Sequence, residues 1–389
     1  MIRHTVAALA LAGALIATPN ATQARTKLVT LPERAKLIVN LEHPWRSILA
    51  EEREITLQKG ENQIDFSWQG VSIDPGSIRL TVLSHPGEGP EATKIISVAF
   101  PPNEAALTWQ IYSPEARTER VRVSYLLNGI SRGTSYEMTV DQAETKALFR
   151  QFFQLVNQSG ENLGDAAFRI GPTEDLTRSV ESGESRRFLS AQKDALPINK
   201  IFVSRPSPNS TRGEDGEIIS MVYEISNTTE AGMGTFKLDA GKARIYADDG
   251  TGSTIFVGED MLEEIAPKEK KELGLGTVKD VVLKRRIMSD KRDPVKVNKH
   301  RNPVLWDRKV HLKYEIENFK DKDATVRVIE MVPPDAQFET PSETGVTFVR
   351  KSATELEITI SLKARPKGEG EEVKSQDINI KYTVANMTG

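Results

Sequence analysis

Histidines come first in a search for chemistry, because imidazole binds metals and moves protons near neutral pH. Beyond the first 24 residues there are four: His43, His85, His300 and His311. None is spaced as H-x-x-x-H, so a zinc-hydrolase centre lacks its ligand pattern. His43 and His85 each precede a proline and read as turn residues, and His311 falls on the polar face of an alternating run. The chain contains no cysteine, which removes thiol nucleophiles, iron–sulfur clusters and cysteine-ligated zinc. The G-x-S-x-G spacing occurs once, at Gly129-Ile130-Ser131-Arg132-Gly133, without the helical pattern after it that a nucleophile elbow needs. "GLGT" at 274–277 has no following helix with which to cradle a phosphate, and reads as a tight turn. "ADDGTGS" at 247–253 lacks the spaced oxygen ligands and distant glutamate of a calcium loop, and reads as a hairpin turn. Adjacent acids such as Glu51-Glu52 and Glu263-Glu264 are expected by chance among 55 acidic residues. A glycosidase needs two carboxyls facing across a cleft, which adjacency in sequence does not provide. The reading is of no metal, no cofactor and a leaning away from catalysis.

The strongest local charge feature is 279–301, where nine basic residues meet three aspartates. An excess of positive charge in an otherwise acidic chain suits an anionic polymer or a lipid headgroup. Lys284, Arg285, Arg286, Lys296, Lys299 and Arg301 form the candidate surface, with Trp306 as a stacking platform beside them. The plainer alternative is a strand edge kept soluble by its lysines. Trp45 and Trp306 are the aromatics to inspect if the protein is a carbohydrate-binding module.

The elements that must position these residues are strands. Ile64, Phe66 and Trp68 alternate with polar neighbours, as do Val121, Val123, Tyr125 and Leu127. The same period of two runs through Val310 to Ile316, Leu356 to Leu362 and Ile378 to Val384. The expected fold class is all-β, with two or three antiparallel β-sandwich domains. Residues 25–104 form an expected N-terminal β domain, 105–303 a central β-rich domain with a mobile loop at 205–216, and 304–389 a C-terminal sandwich. In 147–156, Leu148, Phe149, Phe152, Phe153 and Val156 also fit a helical stripe, so strand and helix both stay open there. "ARIYADDGTGSTIFVG" reads as a hairpin.

Residues 1–24 have the layout of a secretory signal peptide. Arg3 precedes an apolar run from Val6 to Ala17, Pro19 breaks it, and the small-residue end Thr22-Gln23-Ala24 suggests cleavage after Ala24. The run is too short for a membrane span, and no comparable stretch follows, so no transmembrane segment is expected. Removing Arg3 with the leader moves the formal charge from −3 to −4, which gives no global pull toward nucleic acid. The expected location is the periplasm or cell surface.

Residues 237–276, with Ala243-Arg244-Ile245-Tyr246, Phe256-Val257-Gly258-Glu259-Asp260 and Leu273-Gly274-Leu275-Gly276, are similar to a signature of the bacterial domain-of-unknown-function 4139 family. Upstream, "VNQSGENLGDAAFRIGP" resembles that family's Asn-x-Ser-Gly-Glu-Asp run with Asn162 in place of the Asp, and Arg132 and Asp239 are further departures. The likeness covers roughly residues 105–385. "LQKGENQIDFSWQGVSIDPGSIRLTVL" resembles the companion domain that precedes it, without the coiled coil often found between the two. The resemblance implies a β-rich exported protein, favours strand at 147–156, and implies no settled activity. It makes the 253–287 stretch architecture rather than active site. Together these readings lead to an exported, non-catalytic envelope protein whose partner is an envelope protein or anionic envelope polymer. A carboxylate-dependent polysaccharide or peptide hydrolase is the alternative.

Overall fold

Period-two alternation does build strands throughout. The structure is a computed structural model that describes residues 27–29, 31–43, 46–86, 89–170, 175–207, 216–339, 345–365 and 372–388. The leader, Trp45 and residues 208–215 of the expected mobile loop lie outside the described residues. The described residues are all β, with one short 3-10 turn at Pro75–Ser77 capped by the Asp74 carboxylate. No described helix is long and apolar enough to cross a membrane. Two compact units emerge, Met1–Ser131 with Val156–Glu184, and Arg132–Leu155 with Ser185–Gly389. The boundaries expected near 104 and 303 do not follow these units. Each would cut a hairpin whose two strands hydrogen-bond to one another.

The first unit holds β1 (Lys27–Val29), β2 (Lys36–Asn40), β3 (Ser47–Leu57), β4 (Gly60–Ser67), β5 (Arg79–Val82), β6 (Lys94–Ala99), β7 (Ala106–Ser113) and β8 (Arg117–Leu127). After the crossing strands β9 (Ile130–Val140) and β10 (Lys146–Asn157), it adds β11 (Leu163–Arg169) and β12 (Leu176–Val180). One sheet runs β1-β4-β7-β6 and the other β12-β11-β2-β3-β8-β5. Ile64, Phe66, Trp109 and Ile111 from the first and Leu49, Ile55, Val121, Val123 and Tyr125 from the second are buried. Each such side chain contributes about 1.5–3 kcal/mol by leaving water. The Asn-Gln-Ser-Gly-Glu run is a corner. Asn157, fully buried, donates to the Glu161 and Val180 carbonyls and accepts from Ser159. Gly160 sits at φ +85°, and a Cβ there would lie 2.0 Å from the Gly70 carbonyl oxygen, so only glycine fits.

The second unit continues with β13 (Ser185–Ser204), β14 (Ile219–Ser226), β15 (Gly241–Asp248), β16 (Thr254–Leu262), β17 (Lys270–Val278), β18 (Val281–Val297) and β19 (Pro303–Asn318). It ends with β20 (Ala324–Met331), β21 (Gln337–Phe338), β22 (Val346–Arg350), β23 (Glu355–Leu362) and β24 (Gln376–Met387). A ten-stranded sheet follows the order β16-β15-β9-β10-β13-β20-β23-β22, with β14 added on β13 and β17 on β14. A four-stranded sheet, β18-β19-β24-β21, shares a core with β20, β22 and β23 built on Leu283, Leu312, Tyr314, Ile316, Val326, Val328, Ile358, Ile360 and Ile380.

Two local expectations are settled here. Residues 147–156 lie in strand β10, with Ala147, Phe149, Phe153 and Leu155 buried. "GLGT" is not a turn: it lies inside β17, where Ser220 and Val222 pair with Thr277 and Gly274. Two residues therefore oppose one, a β-bulge, and Gly276 takes the positive φ of +98° that such a bulge accommodates. The Asp-Asp-Gly-Thr-Gly hairpin does join β15 to β16 as expected.

Candidate interaction surface

The basic stretch folds into the β18–β19 hairpin, the longest antiparallel pair in the second unit. Its two halves differ. From Val281 to Arg285 the odd-numbered side chains of β18 point into the core, opposite Ile316 and Tyr314 of β19. From Ile287 onward almost every β18 side chain is exposed, because the hairpin has run past the core it was packed on. A bulge at Met288 and an irregular register around Pro294 and Lys296 mark the outer half. Bulges, proline and lysine on an edge strand discourage pairing with other chains.

The structure divides the candidate residues. Arg285 is not a surface residue. It continues the apolar phase of Val281 and Leu283, is 7 % exposed, and forms a bidentate pair with Glu330, at 2.6 and 3.0 Å. Tyr314 donates its hydroxyl to the same carboxylate. Burial works against the charged guanidinium, but the Glu330 hydrogen bonds and charge outweigh it and raise the Arg285 pKa. Trp306 offers no open stacking face either. It is 7 % exposed, and the Arg292 guanidinium lies over its ring at 4.9 Å. Trp45, the other aromatic to inspect, lies outside the described residues. Lys284 and Arg286 stand on the opposite face of β18, with Arg286 3.3 Å from Glu315.

Lys296, Lys299 and Arg301 come together at the hairpin end, where Asn298 caps the turn by accepting from the backbone of His300 and Asn302. All three are exposed, as is Lys291. None of these four has a carboxylate within ion-pairing distance among the described residues. The nearby acids are already engaged. Asp290 is bound by Arg308 at 2.7 Å, whose hydrogen bond lowers the Asp290 pKa, and Asp293 by Lys309 at 2.6 Å. Asp307 accepts from the Asn386 backbone. Register explains this shortage of partners: Lys291 faces Lys309, Arg292 faces Arg308 and Asp293 faces Asp307, so ion pairs form only on the diagonal. Beside the free cations, Val295, Val297 and Val304 are 39–54 % exposed.

Charge arrangements that the sequence reading passed over lie elsewhere. In the second unit, a cleft of about 820 Å³ is lined by Arg327 and by Glu224, Glu272 and Glu357 among others. Arg327 donates to Glu224 at 3.0 Å and Glu272 at 2.8 Å. Burial pushes the Glu224 pKa up, but Arg327 more than offsets this and holds it below the usual range. In the first unit, fully buried Glu119 accepts from Thr93 at 2.6 Å, with Arg117 at 2.8 Å and His85 at 3.2 Å. Both Glu119 and Glu330 continue an apolar alternation, Glu119 that of Val121 and Val123, Glu330 that of Val326 and Val328. That phase was the available signal. Among the described residues, no cluster of three or more His, Asp or Glu side chains converges as metal ligands do.

No family model matches the chain, and no curated protein matches it.

Proposed function

We propose that the protein is an exported, non-enzymatic component of a bacterial cell envelope that engages an acidic partner through the end of the β18–β19 hairpin. The observation that carries this reading is the cluster of Lys291, Lys296, Lys299 and Arg301, without carboxylate partners among the described residues and set beside exposed Val295, Val297 and Val304. Free cations attract an acidic surface over about a Debye length, roughly 8–10 Å at moderate salt. The neighbouring valines then supply apolar area to bury on contact. The leader-like first 24 residues support export, and the likeness to the domain-of-unknown-function 4139 family, resting on the residues quoted above, is part of the same reading. A carboxylate-dependent hydrolase has less support. Its general acid needs a raised pKa, whereas Glu224, the most buried acid of the charged cleft, is held low by Arg327.

The test is retention of the mature chain on isolated envelope fractions at low and high salt, with Lys296→Glu/Lys299→Glu/Arg301→Glu alongside the parent. Salt-sensitive retention that the triple variant loses is the expected result. Equal retention of parent and variant would remove the hairpin end as the contact.

A further inference from the structure

The first unit contains a pocket of about 260 Å³ walled by Arg34, Arg53, Phe66, Trp68, Tyr125 and Glu161 among others. Behind it the fold buries a carboxylate completely: Glu51, the residue in phase with Leu49 on β3. Arg34 donates to Glu51, to Glu161 at 2.5 Å and to the Asn162 carbonyl at 3.4 Å. Arg53 donates to Glu51 at 3.1 and 3.3 Å and to the Pro32 carbonyl. At this end two cations and two carboxylates balance, while Asp65, an exposed carboxylate that accepts from Thr108 at 2.8 Å, also lines the pocket. Each guanidinium carries five N–H groups, and these bonds leave some of them free on both arginines.

Tyr125 adds an independent observation. It is 2 % exposed, and burial together with the Glu51 charge raises its pKa. Its hydroxyl lies within electrostatic reach of Arg34, Arg53, Glu51 and Glu161. Yet it has no hydrogen-bond partner among the described residues, unlike the hydroxyls of Tyr136, Tyr223 and Tyr314. The hydroxyl opens onto the pocket rather than being sealed in the core, so its proton and lone pairs are available to a group that enters.

The contents of the pocket narrow its ligand. A free anion would meet more carboxylate than guanidinium, and a free cation would find Glu51 and Glu161 already paired with arginines, so neither is compensated for its lost hydration. Spare N–H donors, the orphan tyrosine hydroxyl and the second oxygen of Glu161 place donors and acceptors side by side. A ligand hydroxyl both gives and accepts a hydrogen bond, so it satisfies either kind of neighbour. Phe66 and Trp68, with ring centroids 5.9 Å apart, supply an apolar wall for the C–H face of a ring. The volume lies just under the roughly 300–1,000 Å³ of sites for drug-sized ligands, which suits one small ring. We propose that this pocket binds a single neutral polyhydroxylated ring, a monosaccharide unit, either free or at the end of a glycan. The proposal does not depend on the hairpin.

Saturation-transfer NMR on the full mature chain tests it, with neutral hexoses and N-acetylhexosamines as probes and their methyl glycosides and disaccharides as a second arm. At least one sugar is expected to show saturable binding in the millimolar range or tighter, weakened tenfold or more in Tyr125→Phe. Binding of the free sugar but not of its glycosides identifies a free monosaccharide; binding of both identifies a glycan end. Thermal unfolding of Tyr125→Phe should be unchanged or shifted upward, since the variant removes an unpartnered hydroxyl. No saturable binding by any probe overturns the proposal. So does binding indifferent to Tyr125→Phe, or a marked loss of stability in that variant, which would mean that the hydroxyl already has a partner.

Discussion

The buried Arg285–Glu330 pair yields the sharpest quantitative expectation. Their side chains are 5 % and 2 % exposed, and the pairing is bidentate. Glu330→Gln keeps the shape but leaves the Arg285 guanidinium charged in the core with no counter-ion. Removing one partner of such a pair costs about 3–5 kcal/mol. Replacing both, as Arg285→Met/Glu330→Leu, removes the desolvation penalty along with the attraction. That double variant should fall well short of the single variant's loss, because apolar replacement of buried pairs is often neutral or stabilising by about 1–4 kcal/mol. Tyr314 loses its acceptor in the double variant and returns about 1 kcal/mol of that benefit. Because the chain has two units, the assay must report on the second alone. Trp306 is its single tryptophan, the others being Trp45, Trp68 and Trp109. Fluorine NMR of fluorotryptophan-labelled protein in denaturant therefore follows that unit through one resonance. A Glu330→Gln loss below about 1 kcal/mol, or a double variant weaker than the single, would refute the argument and return Arg285 to the surface.

Three further expectations follow from the same geometry. Lys296→Glu/Lys299→Glu/Arg301→Glu should leave stability within about 0.5 kcal/mol of the parent, as exposed substitutions do, so any loss of envelope retention reports contact rather than unfolding; a larger change in denaturant midpoint would contradict the exposed placement. Gly160→Ala should destabilise the first unit by more than the roughly 1–2 kcal/mol of left-handed backbone strain, since its Cβ meets the Gly70 carbonyl; an unchanged melting temperature would show that the corner is misdrawn. Glu224, held below its ordinary pKa by Arg327, contributes stability that is present above the unfolded value of about 4.3 and is lost as pH falls through the lower folded value. The stability gap between the parent and Glu224→Gln should accordingly shrink as pH drops below about 4, and a gap of equal size at pH 7 and pH 3 would disprove the pairing.

The amino-acid sequence by itself determined the strands, because alternation dictates which side chains can share a face and needs no distant partner to do so. Val121 to Leu127 and Val310 to Ile316 show this plainly, and even the ambiguous 147–156 run, equally consistent with a helical stripe, resolves as a strand once its sheet neighbours are present. Alternation also specified the phase of Glu51, Glu119, Arg285 and Glu330, each of which continues an apolar series. What it could not carry is which charge stands opposite on another strand. Arg285 and Glu330 are 45 residues apart and meet because strands of two different sheets pack into one core. The same holds for the candidate surface. A count of basic residues sees nine cations, whereas the β18–β19 register decides that some are paired, one is buried and the group at the hairpin end is left without acids. The pocket at Tyr125 is likewise a tertiary product, since Arg34, Arg53, Tyr125 and Glu161 come from four separate segments. Burial turns charge from a property of composition into a property of partners, and partners are chosen by packing.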